Sequence, residues 1–253
     1  MLDSSTWNLK TYVDPRYFSV KDFEGGFSGV LYLATTPEGK KYLVKHHEMT
    51  DASNEFVASR LANKMGFLVA KAYLLAPNEK LSSKYAVAME YLEGLEDIKS
   101  YKDLTGQEKI EIIEHYAFSQ MIGNIDIAQL RRYNRHIAQV DLAEAFSMSS
   151  MLLKMAYSLE QTDMAKMLLK SSREGFAESV SRLSFDFSIL AIDLEMDPSE
   201  INEIALRAVK RIQNVTDEDI VEIADELSGL YPPEYVENYV AEIRMLQNRI
   251  KEM

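Results

Sequence analysis

Two runs rich in β-branched and aromatic residues, GVLYLATT (Gly29 to Thr36) and KYLVKHH (Lys41 to His47), flank the turn PEGK, and no other stretch constrains the chain as tightly. Alternating residues of this kind around a Pro/Gly turn form an antiparallel hairpin. A helix then follows. In DASNEFVASRLANKMG, residues Phe56, Leu61, Ala62 and Met65 recur at helical spacing, Asp51 or Ser53 can cap the start, and Gly66 can end it. FLVAKAYLLA and YAVAMEYLEG, parted by a turn near Asn78, read as further apolar segments, the second opening into a loop at Gly94.

Beyond this strand-rich portion the pattern changes to helix. Thr105 with Glu108 makes a capping box for the amphipathic run EKIEIIEHYAFSQMIGN, which ends at Gly123 or Asn124. Ile125 to Phe146 is a short strand-like island. Helical patterns then resume through MLLKMAYSL, DMAKMLLKSS, AESVSRLSFDFSIL, SEINEIALRAVKRI, DEDIVEIADELSGL and PEYVENYVAEIRMLQNRIKEM, with start signals at Asp197-Pro198, Thr216 and Pro232-Pro233. No fixed-period repeat emerges, which argues against a solenoid.

Charge and composition narrow the function. With 40 acidic against 28 basic residues the net charge is -12, so nucleic-acid backbones and anionic membranes are repelled by most of the surface. LRRYNRH is the best local basic candidate and fits a solvated hairpin tip. The absence of cysteine excludes disulfides, thiolate nucleophiles and cysteine metal sites. No apolar run has the length of a signal peptide or membrane span, and Leu2 fails the myristoylation pattern. The expectation is a cytoplasmic protein without membrane insertion and without a nucleic-acid partner.

Four features stand in an order that phosphoryl transfer from a nucleotide requires. EGGFSG (Glu24 to Gly29) places Gly25 and Gly26, with Phe27 and Ser28, where backbone amides can approach phosphates, although a plain glycine turn has the same composition. Lys45 shares a strand face with Leu43 and so points inward beside that loop; judged singly, a solvated strand lysine is commoner. Glu55 lies on the helix face of Ala58 and Ala62, where an acid is costly unless paired, and Lys45 is its obvious partner. The bland alternative is a first-turn glutamate facing the helix dipole. Asp126 and Asp141 flank IAQLRRYNRHIAQV, one suited to orient or deprotonate a hydroxyl and the other to hold Mg²⁺; each alone could be a turn residue.

The order of EGGFSG, YLVK, NEFVASRLANKMGFLVAKAYLL, AMEYLEG, GNID and QVDLAEAF resembles the atypical kinases of the phosphatidylinositol 3/4-kinase-like and HipA-like group, bacterial type. The ending LYPPEYVENYVAEIRMLQNRI is similar to the helical C-terminus of bacterial members, so the resemblance covers nearly the whole chain. It implies an α+β, bilobal protein-kinase-like fold: a small β-rich N-lobe with one helix over residues 1–92, and a larger helical C-lobe over 93–253 with a catalytic and metal-binding hairpin at 124–146. It implies ATP in the cleft, a hinge at Glu90, Tyr91 and Leu92, and Lys45 as the phosphate-contacting lysine paired with Glu55. Asp126 becomes the catalytic-loop aspartate and Asp141 the metal-binding aspartate, with Ala145 and Phe146 packed behind it and Glu144 without an assigned role.

One position departs from the family. Where members carry a metal-binding asparagine about five residues after the catalytic aspartate, this chain has Arg131, and the nearest substitute is Asn134, at the expected hairpin tip. The leading expectation is an ATP- and Mg²⁺-dependent kinase acting on protein Ser/Thr hydroxyls; the alternative is a pseudokinase that binds nucleotide or a protein partner, and a helical adaptor without a nucleotide site stands third. His46 and His47 alternate across a strand and have no third ligand nearby. His115 falls on the long helix, and His136 in the hairpin, where Asp126 or Asp141 could come near it; for all four histidines a core or solvated place is the better reading. No G-x-S-x-G elbow or strict P-loop occurs, and the thirteen methionines suit helix-core packing.

Overall fold

The computed structural model describes residues 19–22, 31–35, 39–47, 49–75, 85–124, 129–142, 145–146 and 187–253. The expected hairpin is strands β2 (Leu31–Thr35) and β3 (Lys41–His47), paired antiparallel with Leu33 opposite Leu43 and Leu31 opposite Lys45. A further strand, β1 (Ser19–Asp22), precedes it and pairs with β2, Asp22 opposite Tyr32. SVKD carries too little apolar character to announce a strand by itself, and its place comes from the edge that β2 offers. Segment 23–30 therefore links two paired strands instead of leading into the first.

Two more strands, β4 (Ala72–Leu75) and β5 (Tyr85–Glu90), complete an antiparallel sheet in the order β1-β2-β3-β5-β4. Its alternation sorts the side chains. Tyr42, Val44, Ala86 and Ala88 form a small cluster on one face, while Val87 and Met89 join the main core on the other. Lys45, opposite Val87 in the register, shares the core face.

Helix α1 (Met49–Lys64) covers that face, burying Phe56, Val57, Leu61 and Ala62. It begins ahead of Asp51, which sits in the first turn where a carboxylate meets the positive end of the helix dipole. Gly66, at φ +81, ends it with a left-handed residue that a Cβ would strain. The chain leaves the sheet after Glu90 and turns at Gly94, φ +83.

Helix α2 (Gly106–Met121) starts from the expected capping box, Thr105 accepting from the Glu108 amide while Glu108 accepts from the Thr105 amide. A second sheet forms from β6 (Glu96–Asp97), β7 (Leu130–Tyr133) and β8 (His136–Gln139), with the β7–β8 hairpin closing at Asn134 and Arg135. Both turn residues have positive φ, 50° and 65°, the combination a two-residue turn of type I′ requires. At the hairpin's foot Gln139 bridges to Val69, just before β4, so the two sheets meet at one point.

The described C-terminal portion is α3 (Ser188–Leu194), α4 (Pro198–Lys210), α5 (Asp217–Ser228) and α6 (Pro233–Lys251). Asp197 and Thr216 cap their helices as the sequence indicates. The segments MLLKMAYSL and DMAKMLLKSS, and most of AESVSRLSFDFSIL, lie outside the described residues. One continuous core runs from α1 through α2 and the hairpin to Tyr235, Tyr239 and Leu246 of α6. Ion pairs lace α1 to α5: Arg60 grips both Glu226 oxygens at 2.9 Å, and Lys64 reaches Asp219 at 2.6 Å and Glu222 at 2.7 Å. Among the described residues no helix is long and apolar enough to cross a membrane.

Candidate active site

Lys45 and Glu55 come from adjacent elements, β3 and α1, and both side chains are buried, 6% and 0% exposed. The strand period turns Lys45 toward α1, and the helix period turns Glu55 toward β3. Lys45 Nζ meets Glu55 Oε2 at 3.1 Å. The same ammonium meets Asp141 Oδ1 at 3.4 Å and donates to the Val140 carbonyl at 3.3 Å. Glu55 closes the ring of contacts by accepting the Leu142 amide on Oε1 at 3.2 Å. Three segments separated in sequence thus converge on one ammonium.

The cluster holds one positive and two negative groups. Burial works against the charge on Lys45, but Glu55 and Asp141 together raise its pKa above the ordinary lysine value. Burial also pushes Glu55 up to about 7, opposed by Lys45 and reinforced by Asp141. Lys45 therefore keeps its proton, and Glu55 takes one up more readily than an ordinary glutamate does. Asp141 differs from Glu55 in exposure, its side chain being 30% accessible. A partly exposed carboxylate beside an ammonium is a donor set that suits a divalent cation and phosphate oxygens together.

A buried polar group stands behind Asp141. Gln139, 0% exposed, donates from Nε2 to Ser119 Oγ at 2.9 Å and to the Asp141 carbonyl at 3.4 Å. His115 Nε2 lies 2.9 Å from the Ile137 carbonyl. A carbonyl only accepts, so Nε2 carries the hydrogen. Burial drives the His115 pKa down to about 4 and keeps the ring neutral. Asn124 is 6% exposed, and its side-chain Nδ2 and Oδ1 have no hydrogen-bond partner among the described residues.

The other expected residues fall as follows. Gly25, Gly26, Phe27 and Ser28 lie in the 23–30 connection between β1 and β2, and Asp126 in 125–128; both stretches are outside the described residues. Glu90 ends β5, its Oε1 accepting from Lys40 at 3.0 Å and from the Tyr73 hydroxyl at 2.9 Å. The Tyr91 amide donates to the Lys41 carbonyl at 3.0 Å, and Leu92 packs against the core. Ala145 and Phe146 are buried, Phe146 at φ 53 with its amide bonded to the Ile122 carbonyl at 2.8 Å. Asn134 is exposed at the hairpin tip, in the left-handed conformation the turn demands, four ladder pairs from the foot where Asp141 begins. That ladder spans about 13 Å at the usual strand rise. Arg131, where the resemblance leads one to expect an asparagine, pairs with Asp97 of β6 at 2.9 Å.

His136 is exposed, with its Nδ1 2.8 Å from Glu111 of α2, because the hairpin packs its outer strand on that helix. Sequence reasoning missed Gln139 and Ser119. Gln139 had a legible signal, an amide on the same strand face as buried Ile137. Ser119 had none.

No protein-family model matches the sequence, and no curated protein matches it. Solved structures do. A kinase of Helicobacter pylori, CtkA, described as proinflammatory, is 14% identical over 96% of this chain and 99% of its own, with a TM-score of 0.60. HipA of Shewanella oneidensis, solved with HipB and operator DNA, is 13% identical over 92% of this chain and 66% of its own, TM-score 0.39. A putative aminoglycoside phosphotransferase of Ralstonia eutropha is 12% identical over 93% of each chain, also at 0.39. The likeness to CtkA is one of fold: a small antiparallel sheet region and a helical part arranged in a kinase-like way.

Proposed function

We propose that the chain is an ATP- and Mg²⁺-dependent phosphotransferase of the atypical kinase class, allied to the HipA-like and phosphatidylinositol 3/4-kinase-like group, that phosphorylates Ser/Thr hydroxyls of a protein partner. The observation that carries this is the convergence of Glu55 and the partly exposed Asp141 on the buried Lys45 ammonium. A buried Lys45–Glu55 pair is weak support for stability alone, so such a cluster, open to solvent through Asp141, calls for a ligand-directed use. The kinase-like fold shared with CtkA supports the same reading.

In this scheme the N-lobe is 1–92 and the C-lobe 93–253. Lys45 neutralises phosphate charge, Glu55 fixes its ammonium, and Asp141 is the carboxylate for Mg²⁺. Asp126 orients the acceptor hydroxyl and accepts its proton. Backbone amides around Gly25 to Ser28 take the phosphates, and Glu90 to Leu92 border the base. Bound Mg²⁺ would supply charge neutralisation at the phosphates. The net charge of -12 favours a protein over a phosphoinositide or nucleic-acid substrate, and a cysteine-free chain suits a reducing cytoplasm.

A second reading, a pseudokinase that binds nucleotide without turnover, is favoured by Arg131, which stands at the metal-asparagine position and is engaged with Asp97. Thermal-shift titration with ATP, with and without Mg²⁺, followed by radiolabelled-phosphate incorporation on the same sample, separates the two. A kinase gives a metal-dependent rise of about 5 °C at roughly a hundredfold excess over Kd, with label transferred, even onto itself. Stabilisation without transfer selects the second reading; no stabilisation at millimolar nucleotide removes both.

A further inference from the structure

Glu55 faces Lys45 only while α1 keeps its present rotation, and the residues just before it show what fixes that rotation. Tyr239 of α6 is 1% exposed. Its hydroxyl donates to Asn54 Oδ1 at 2.6 Å and lies 2.8 Å from Ser53 Oγ, whose single hydrogen has that hydroxyl and the Thr50 carbonyl, also at 2.8 Å, as its two acceptors. Successive helical residues are about 100° apart, so a turn of α1 that swings Glu55 away also pulls Ser53 and Asn54 off this hydroxyl. The Tyr239 ring stands edge-on to Phe146 at 5.6 Å and 76°. Phe146 follows Asp141 by five residues and holds a left-handed φ of 53°, a conformation a bulky residue keeps only when its surroundings enforce it. One side chain thus touches both the helix that supplies Glu55 and the segment that follows Asp141.

We propose that Tyr239 is a positioning residue through which the C-terminal helix α6 holds α1 with Glu55 turned toward Lys45, so that the inward arrangement is built into the chain and needs no activating partner. Its effect on turnover rests on the phosphotransferase reading above; its effect on α1 does not. The pairs at the far end of α1, Arg60 with Glu226 and Lys64 with Asp219 and Glu222, tie the helix to α5 about one and a half to two and a half turns beyond Glu55. They make a natural control.

The test compares the full chain with Tyr239→Phe, which keeps the ring against Phe146 and deletes the hydroxyl, with Asn54→Ala, which breaks the same bond from α1, and with Lys64→Gln. Each is followed by thermal melting, steady-state phosphotransfer, and amide hydrogen exchange over residues 49–64. Tyr239→Phe and Asn54→Ala are expected to lower kcat roughly tenfold, the size of one lost buried hydrogen bond, with KM for ATP within about twofold. Exchange over 49–64 accelerates in both. Lys64→Gln, compared at equal distance below its own Tm, keeps the parental kcat. A Tyr239→Phe variant with unchanged exchange over 49–64 overturns the proposal, as does a kcat loss shared equally by Lys64→Gln. Should the parent transfer no phosphate, the functional reading falls and exchange alone decides: acceleration in both α1–α6 variants upholds the tie, and parental rates remove it.

Discussion

At the foot of the β7–β8 hairpin, Lys45, Glu55 and Asp141 crowd together with the lysine and glutamate almost wholly buried. Along its two strands the same hairpin carries Arg131 with Asp97 and His136 with Glu111, contacts in which the Arg131 and His136 side chains are 39% and 56% exposed. Exposed pairs contribute little, about 0 to 1 kcal/mol each, because water and salt screen them. A buried cluster pays desolvation on every member and is strongly sensitive to losing one. The contrast marks where residue identity matters: at the foot each charge depends on the others, and at the tip the backbone turn sets the requirement.

Removing the ammonium should have the largest effect. Lys45→Met leaves Glu55 and Asp141 as neighbouring acids without their shared cation, at a cost of roughly 3 kcal/mol, or on the order of 6–12 °C in Tm for a chain of this length. Phosphotransfer should vanish. Adding Glu55→Gln removes the stranded carboxylate, so the double variant should regain most of the lost Tm while transferring no phosphate. Thermal melts and label incorporation on the three proteins check this. A double variant as unstable as the single would show that the cost does not lie in buried charge.

His115 lies between foot and tip, binding the hairpin from α2 through the Ile137 carbonyl, and it should have an intermediate, pH-dependent effect. Its folded pKa of about 4 lies below the ordinary 6.5, so the unfolded chain takes up the proton first. The stability it contributes is complete above pH 6.5, drains away as pH falls toward 4, and changes no further below that. His115→Gln removes this slope while keeping a donor for the carbonyl. Urea melts from pH 7 to pH 4 should show the parent losing more stability than the variant, and parallel losses would place the ring's titration outside folding.

Much of the foot was legible because its periods are short-range. The alternation of KYLVKHH put Lys45 inward, and the helical spacing of Phe56, Leu61 and Ala62 put Glu55 on the buried face. Caps at Thr105, Asp197 and Thr216 were equally local. What escaped depends on partners far along the chain. SVKD becomes a strand only against β2. Tyr239 reads as one more aromatic of an amphipathic helix until its hydroxyl is seen 185 residues away on Asn54. His136 reads as a solvated hairpin residue and is exposed, but its place beside Glu111 of α2 comes from the packing of β8 on that helix.

The tip offers the smallest expected effect and the sharpest limit on the comparison. Asn134 was expected to help bind metal, and the structure carries it at φ 50 on an exposed two-residue turn. Glycine adopts that conformation freely and asparagine tolerates it, so Asn134→Gly keeps the turn and should move stability by no more than a few tenths of a kcal/mol. The amide is lost without backbone strain, which isolates its chemistry. If the tip is only a turn, the Mg²⁺ concentration giving half-maximal ATP-dependent stabilisation stays within about twofold of the parent, the spread that a difference of under 0.5 kcal/mol allows. A tenfold rise would require the hairpin to bend its tip back toward Asp141 when nucleotide binds, and would make the foot and the tip parts of one site.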